Sequence, residues 1–191
     1  MSQTYQCQLK DSVSRTVRIG DTIKHTLSLT EILPLDEMKQ IFREILQDAG
    51  FSQDDQDRWS LSEGGDETVV DLEAMSVVTT REEQKTLTQD VAATGRAYRP
   101  SLARQVARDN LKHQKERAAT RLEQEAGRLQ QQLSQEMASA DVERREILHL
   151  LLQQVYAESL KRKARQMGDV MEISEGTRPD GEYELIIKVE T

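Results

Sequence analysis

Cysteine, aromatic side chains, proline and long apolar runs are all scarce in these 191 residues, and each scarcity removes a class of protein. A single cysteine, Cys7, excludes an internal disulfide framework and any cysteine-built zinc cluster. Aromatics make up 4% of the chain and apolar residues 36%, so the core is modest and part of the stability is expected from association. No apolar run is long enough to span a bilayer, and no apolar segment of the signal-peptide kind opens the chain. These features together describe a soluble protein of a reducing compartment, and the expected localisation is cytoplasmic.

What the sequence does hold is helix. From Ser101 to Gly168 there is no proline and one internal glycine, Gly127, among many Ala, Leu, Glu, Gln, Lys and Arg. Leu122, Ala126, Leu129, Leu133, Met137 and Ala140 form a narrow seam of the coiled-coil type. Leu111 and Ala118 extend it backwards, with Lys115 between them. Past residue 141 the stripe broadens to include Ile147, Leu148, Leu151, Leu152, Val155, Tyr156, Leu160, Ala164 and Met167. Lys161, Arg162, Lys163 and Arg165 crowd the end, where the helix dipole favours cations, and Gly168 reads as a left-handed stop.

Two arrangements bury this pattern. One continuous helix would run about 100 Å and would need a second copy of the chain along its seam. A hairpin bending at Ala138-Ser139-Ala140-Asp141, capped by Ser139 or Asp141, sets Leu133 against Ile147, Leu129 against Leu151 and Ala126 against Val155. No glycine or proline marks that bend, yet the facing pairs favour an antiparallel helical hairpin.

Taken in order, Tyr5, Cys7 and Leu9 alternate with polar residues, as do Val17 and Ile19, then Ile23, Leu27 and Leu29, each a half-buried strand. Gly20-Asp21 reads as a turn between the last two. Pro34 and Asp36 open a short helix carrying Met38, Ile41, Phe42, Ile45 and Leu46, with Gly50 as its stop and Phe51 returning to the core. Trp59 and Leu61, then Val70 and Leu72, then Met75 to Val78 form a meander turning at Glu63-Gly64-Gly65-Asp66. The fold class is therefore α+β, a small antiparallel sheet of the form ββαβββ crossed by one helix. Domains are expected at 1–80 (α+β), 81–100 (a polar connector), 101–168 (the helical segment) and 169–191 (a β-hairpin turning at Thr177-Arg178-Pro179-Asp180-Gly181, free to join the N-terminal sheet).

Charge is segregated. Residues 1–95 hold 9 Lys and Arg against 18 Asp and Glu, residues 96–121 hold 8 against 2, and residues 122–191 hold 9 against 14. Within the basic stretch Arg104, Arg108, Lys112 and Lys115 recur along one helix face. Such a row is read as a solvated face, as a dock for an acidic protein surface (this chain's own acidic N-terminal domain among the candidates), or as a phosphate-backbone contact. The absence of aromatics from 101–121 and the net charge of −8 favour protein, with nucleic acid on 96–121 the alternative.

Other candidates reduce to structure. Glu146 and His149 have the spacing of a di-iron bundle motif, but no second Glu-x-x-His exists to face them. His25 and His113 read as ordinary polar residues. Asp54-Asp55-Gln56-Asp57 lacks the glycine and terminal glutamate of a calcium loop, and Gly64-Gly65 has no helix start and no Lys-Ser/Thr after it. No catalytic residue, metal or cofactor is expected.

The stretch Leu29-Thr30-Glu31-Ile32-Leu33-Pro34 with Met38 and Gly50-Phe51 resembles an accessory domain of the bacterial ternary systems. So do Ala157 to Ala164, Met167-Gly168-Asp169-Val170 and Glu182 to Glu190. In those systems an FtsH-like AAA+ ATPase is encoded with a MoxR-type AAA+ ATPase, a von Willebrand A-type protein and small accessory proteins. The resemblance implies a non-enzymatic adaptor or substrate-side component of AAA+ machinery in stress or conflict responses, with these proteins as partners. It carries over no active-site residues.

Overall fold

The computed structural model describes residues 4–54, 56–179 and 181–190. In chain order its elements are β1 (Tyr5–Thr26), α1 (Leu35–Asp48), β2 (Ser52–Gln53), β3 (Arg58–Glu63), β4 (Asp66–Asp71), β5 (Ser76–Ala97), α2 (Pro100–Met167), β6 (Asp169–Thr177) and β7 (Tyr183–Glu190). The class is α+β, but the sheet is larger than the sequence suggests, with five strands in the order β1-β5-β4-β3-β2. β6 and β7 form a separate two-stranded sheet, so the C-terminal hairpin does not join the larger one. Its tip bonds Gly181 N–H to the Arg178 carbonyl, while Asp180 lies outside the described residues.

The N-terminal strands expected on either side of Gly20 are one strand of 22 residues. Gly20 bends nothing. The side-chain amide of Gln130 donates to its carbonyl (2.7 Å) and accepts from its N–H (3.2 Å). A Cβ there would sit 3.1 Å from the Arg81 carbonyl oxygen, so the position is a close approach rather than a turn. Likewise the polar connector of 81–100 is strand as far as Ala97. Ser14 with Thr88 (3.0 Å), Thr16 with Thr86 (3.2 Å), and Thr22 with Thr80 (3.4 Å) keep one antiparallel register between β1 and β5.

The chain divides into two units: Met1–Asp21 with Arg81–Met137, and Thr22–Thr80 with Ala138–Thr191. In the first, α2 lies on the ribbon of β1 and β5. Ala103, Ala107, Leu111, Lys115, Ala118, Leu122, Ala126, Gln130, Leu133 and Met137 are all buried or half-buried, recurring at 4, 4, 4 and 3. That is about 3.75 residues per contact, the period of a right-handed path; a left-handed coiled coil needs about 3.5. The seam's partner is a twisted ribbon. Val17 and Ile19 of β1, with Leu87 of β5, pack on Ala126, Leu129 and Leu133. The coiled-coil expectation therefore names the buried residues and mistakes what covers them.

The second unit holds the larger core. Met38, Ile41, Phe42 and Leu46 of α1 are fully buried among Trp59, Val70, Leu72 and Val77, with Leu151 and Val155 of α2. Burying each such side chain contributes about 1.5–3 kcal/mol. α1 ends in a Schellman motif: Gly50 (φ +87°) donates to the Gln47 carbonyl and Phe51 to that of Leu46, both at 3.0 Å. The expected meander is present as β3, β4 and the start of β5, turning at Gly64-Gly65 with φ of +60° and +88°.

The hairpin bend at 138–141 does not form; α2 is a single helix of 68 residues. Asp141, proposed above as a cap, is buried and bonded sideways instead. Its carboxylate accepts from His25 Nε2 (2.6 Å) and from Arg145 Nε (2.8 Å). Arg144 pairs with Asp66 of β4. Gly168 is not left-handed either: a Cβ there would lie 2.3 Å from the Glu190 carbonyl oxygen, so the glycine admits β7. The basic run before it is spent on tethers. Lys161 pairs with Glu175, Arg162 with Glu44 (2.5 Å), and Lys163 donates to the Ile32 carbonyl (2.8 Å).

Ala138→Pro separates bend from helix: at a turn it is nearly neutral, whereas in this helix it should cost about 3 kcal/mol in urea unfolding. Asp141 gives a second test. Burial pushes its carboxyl up, and the hydrogen bond and charge of His25, with Arg145, more than offset this, holding it below the usual 3.8. A depressed carboxylate stabilises above its unfolded pKa and loses that contribution as pH falls through the folded one. The stability gap between wild type and Asp141→Asn should thus be full above the ordinary carboxylate range and shrink as pH falls below it, through the lowered pKa of the folded state.

Candidate interaction surface

The four residues of the basic row do not act as one set. Arg104, Arg108 and Lys112 each follow a seam position (Ala103, Ala107, Leu111) and stand exposed beside the buried stripe. Lys115 is itself a seam position, half-buried and ion-paired with Asp11 of β1. The Asp11 carboxyl is held below the usual carboxylate range, chiefly by the hydrogen bond from Lys115. Lys115 is therefore a tether between helix and strand.

Charge pairing makes the contrast sharper. Of the eight cations in 96–121, seven (all but Lys115) have no ion-pair partner among the described residues. In the second unit ten of the twelve cations are ion-paired, and Lys163 bonds a backbone carbonyl. The first unit carries 14 Lys and Arg against 10 Asp and Glu, net +4; the second carries 12 against 24, net −12. A basic surface left without internal neutralisation can hold an anionic partner through charge-assisted bonds. Sequence reasoning found this row, but Arg96, Arg99, Arg117 and Arg121 belong to the same unneutralised set and were legible only as part of a charge count.

The other candidates hold no reactive arrangement. Asp54 accepts from the Gln56 and Arg58 backbone and from the Arg58 side chain, and Asp57 pairs with Arg43; Asp55 lies outside the described residues. Glu146 and His149 are exposed, and among the described residues no three His, Cys, Asp or Glu are grouped to hold a metal ion. His113 contacts Glu116 at 3.3 Å, and Cys7 is half-buried on β1. A cleft of about 700 Å³ in the second unit is lined by Glu44, Glu158, Lys161, Arg162, Glu175 and Tyr183 among others. Three of its four carboxylates are engaged, Glu44 and Glu158 by Arg162 and Glu175 by Lys161 and Tyr183, and the fourth, Asp48, is exposed. The hydrogen bond from Lys161, then that from Tyr183, holds the Glu175 carboxyl low, which keeps it an ion-pair partner and unsuits it as a general acid. No helix among the described residues is long and apolar enough to cross a membrane.

This is an α+β protein with a row of exposed cations along α2 that have no ion-pair partner among the described residues. Over residues 1–191 the chain matches the family described as FtsH ternary system domain X5, and it belongs to that family. No curated protein and no solved structure matches it.

If Arg104, Arg108 and Lys112 serve partners and not the fold, their joint reversal to glutamate should change unfolding free energy by less than about 0.5 kcal/mol. Urea denaturation checks this.

Proposed function

We propose that this chain is a non-enzymatic accessory protein that works by protein–protein contact beside AAA+ ATPase machinery in a bacterial stress or conflict system, in the cytoplasm. Membership of an FtsH ternary system family supports the setting. The observation that carries the contact is the run of unneutralised cations along α2, in a chain that pairs most of its other cations, Lys10, Arg18 and Lys24 being exceptions. The docking residues are Arg104, Arg108 and Lys112, with Lys115 fixing the helix that presents them. The partners are the FtsH-like and MoxR-type ATPases and the von Willebrand A-type protein. Association of two copies through the α2 seam loses its motive, because the chain's own strands cover that seam.

The test is retention of each purified partner on the immobilised chain at about 50 mM and about 300 mM salt. At least one should be held at low salt and released when Arg104, Arg108 and Lys112 are reversed to glutamate. No retention at low salt, or retention indifferent to the triple reversal, would sink the proposal. Binding of RNA or DNA in place of any protein would favour the nucleic-acid reading.

A further inference from the structure

We infer that β7 is an association edge: its outer side pairs antiparallel with β7 of a second copy of this chain, about a two-fold axis at Ile186, making one four-stranded sheet. The surface is separate from the basic row of α2 and does not depend on it.

β6 and β7 form a sheet of two strands, and among the described residues no third strand pairs with either. A lone hairpin is marginal in water, and an open edge is a template for another strand. The two edges differ. β6 carries a bulge between Val170 and Glu172, which breaks its ladder, and its Glu175 is held by Lys161. β7 runs regular and without proline from Tyr183 to Glu190. Arg178 N–H donates to the Glu182 carbonyl (2.8 Å), and the pairs from Thr177–Tyr183 to Glu172–Lys188 continue that register. Alternation then turns the backbones of Glu184, Ile186 and Lys188 toward β6, and those of Tyr183, Leu185 and Ile187 toward the open edge.

Side chains alternate between the faces in the same way. On one face Leu185, Ile187 and Val189 are half-buried. Tyr183 and Leu185 border an apolar groove of about 520 Å³ lined on α2 by His149, Leu152, Tyr156 and Leu160. Of the hairpin's strands this groove touches β7, the one with the regular edge. A strand added there carries its own Leu185 and Ile187 on the groove side. The opposite face shows Ile186, 46% exposed between Glu184 and Lys188.

Charge selects the register. Backbone alternation permits an antiparallel two-fold at Leu185, Ile186 or Ile187 in the middle of the strand. A centre at Leu185 sets Ile186 against Glu184 of the second copy, and a centre at Ile187 sets Glu184 against Glu190. The centre at Ile186 sets Lys188 against Glu184 twice, Ile186 against Ile186, and Leu185 against Ile187. Opposite charges across strands stabilise, and like charges directly opposite destabilise. Both charged groups have capacity to spare. Arg178 bonds Oε1 of Glu184, and Glu172 takes one proton of Lys188. Oε2 and two ammonium protons are left for the second copy.

Sedimentation equilibrium of the full chain is the test. The wild type should show a monomer–dimer equilibrium below about 1 mM. Glu184→Lys and Lys188→Glu should each weaken dimerisation at least about tenfold, because each sets like charges opposite one another at two places. An equimolar mixture of these two variants should dimerise again, since every opposed pair then unites Lys with Glu. Damage inside one hairpin is the same alone or mixed, so recovery on mixing reports contact between copies. Ile187→Pro, which removes an outward N–H and no bond to β6, should leave a monomer. A wild type monomeric to about 1 mM, a dimer indifferent to either reversal, or a mixture no more associated than its components would overturn the inference. None of these outcomes bears on the retention test of the basic row.

Discussion

The polar members of the α2 seam constrain this protein more than its apolar ones do. Apolar contact is non-directional, so alanine and leucine on a helix define its alignment along a strand less sharply than hydrogen bonds do. Hydrogen bonds cannot slide. In the first unit Lys115 meets Asp11, and Gln130 closes a two-bond clamp on the Gly20 backbone. In the second, buried Asp141 meets His25. Each joins α2 to β1, and each is satisfied in one register only, since the alternative leaves a half-buried polar group without its partner. The hydrophobic seam supplies attraction, and these contacts supply the alignment.

This explains which parts of the structure could be read in advance. α1, its Schellman glycine and the β3–β4 turn were legible because strong local signals and local structure agree there. The buried residues of α2 were also legible. Their partner was not, because Leu129 and Ala140, the apolar residues at those turns, give the seam the period of a coiled coil. The contacts that set the true winding fall on Gln130 and Asp141, which a hydrophobicity pattern skips.

Glycine misled for a related reason. Gly20 and Gly168 read as punctuation, yet each, like Gly95, is a place where another backbone or an amide comes too near for a Cβ. Chain breaking and close approach leave the same mark on a sequence, and only the partner distinguishes them. The connector of 81–100 failed on size. Val91, Ala93, Gly95 and Ala97 alternate faithfully as buried strand positions, but small residues carry too little hydrophobic weight to announce it.

The basic row was legible as residues and illegible as a surface, because a sequence counts charges without showing which are cancelled. Once the ion pairs are known, the same count divides into cations that tie elements together and cations that tie nothing. Lys161, Arg162 and Lys115 are of the first kind, however much they look like a recognition patch. Arg104, Arg108 and Lys112 are of the second, on a helix whose other side is fixed to its strands. An unpaired cation on mobile backbone would be ordinary surface. Along a helix locked in register the same charges keep fixed spacing, and fixed spacing lets electrostatics discriminate among partners as well as attract them.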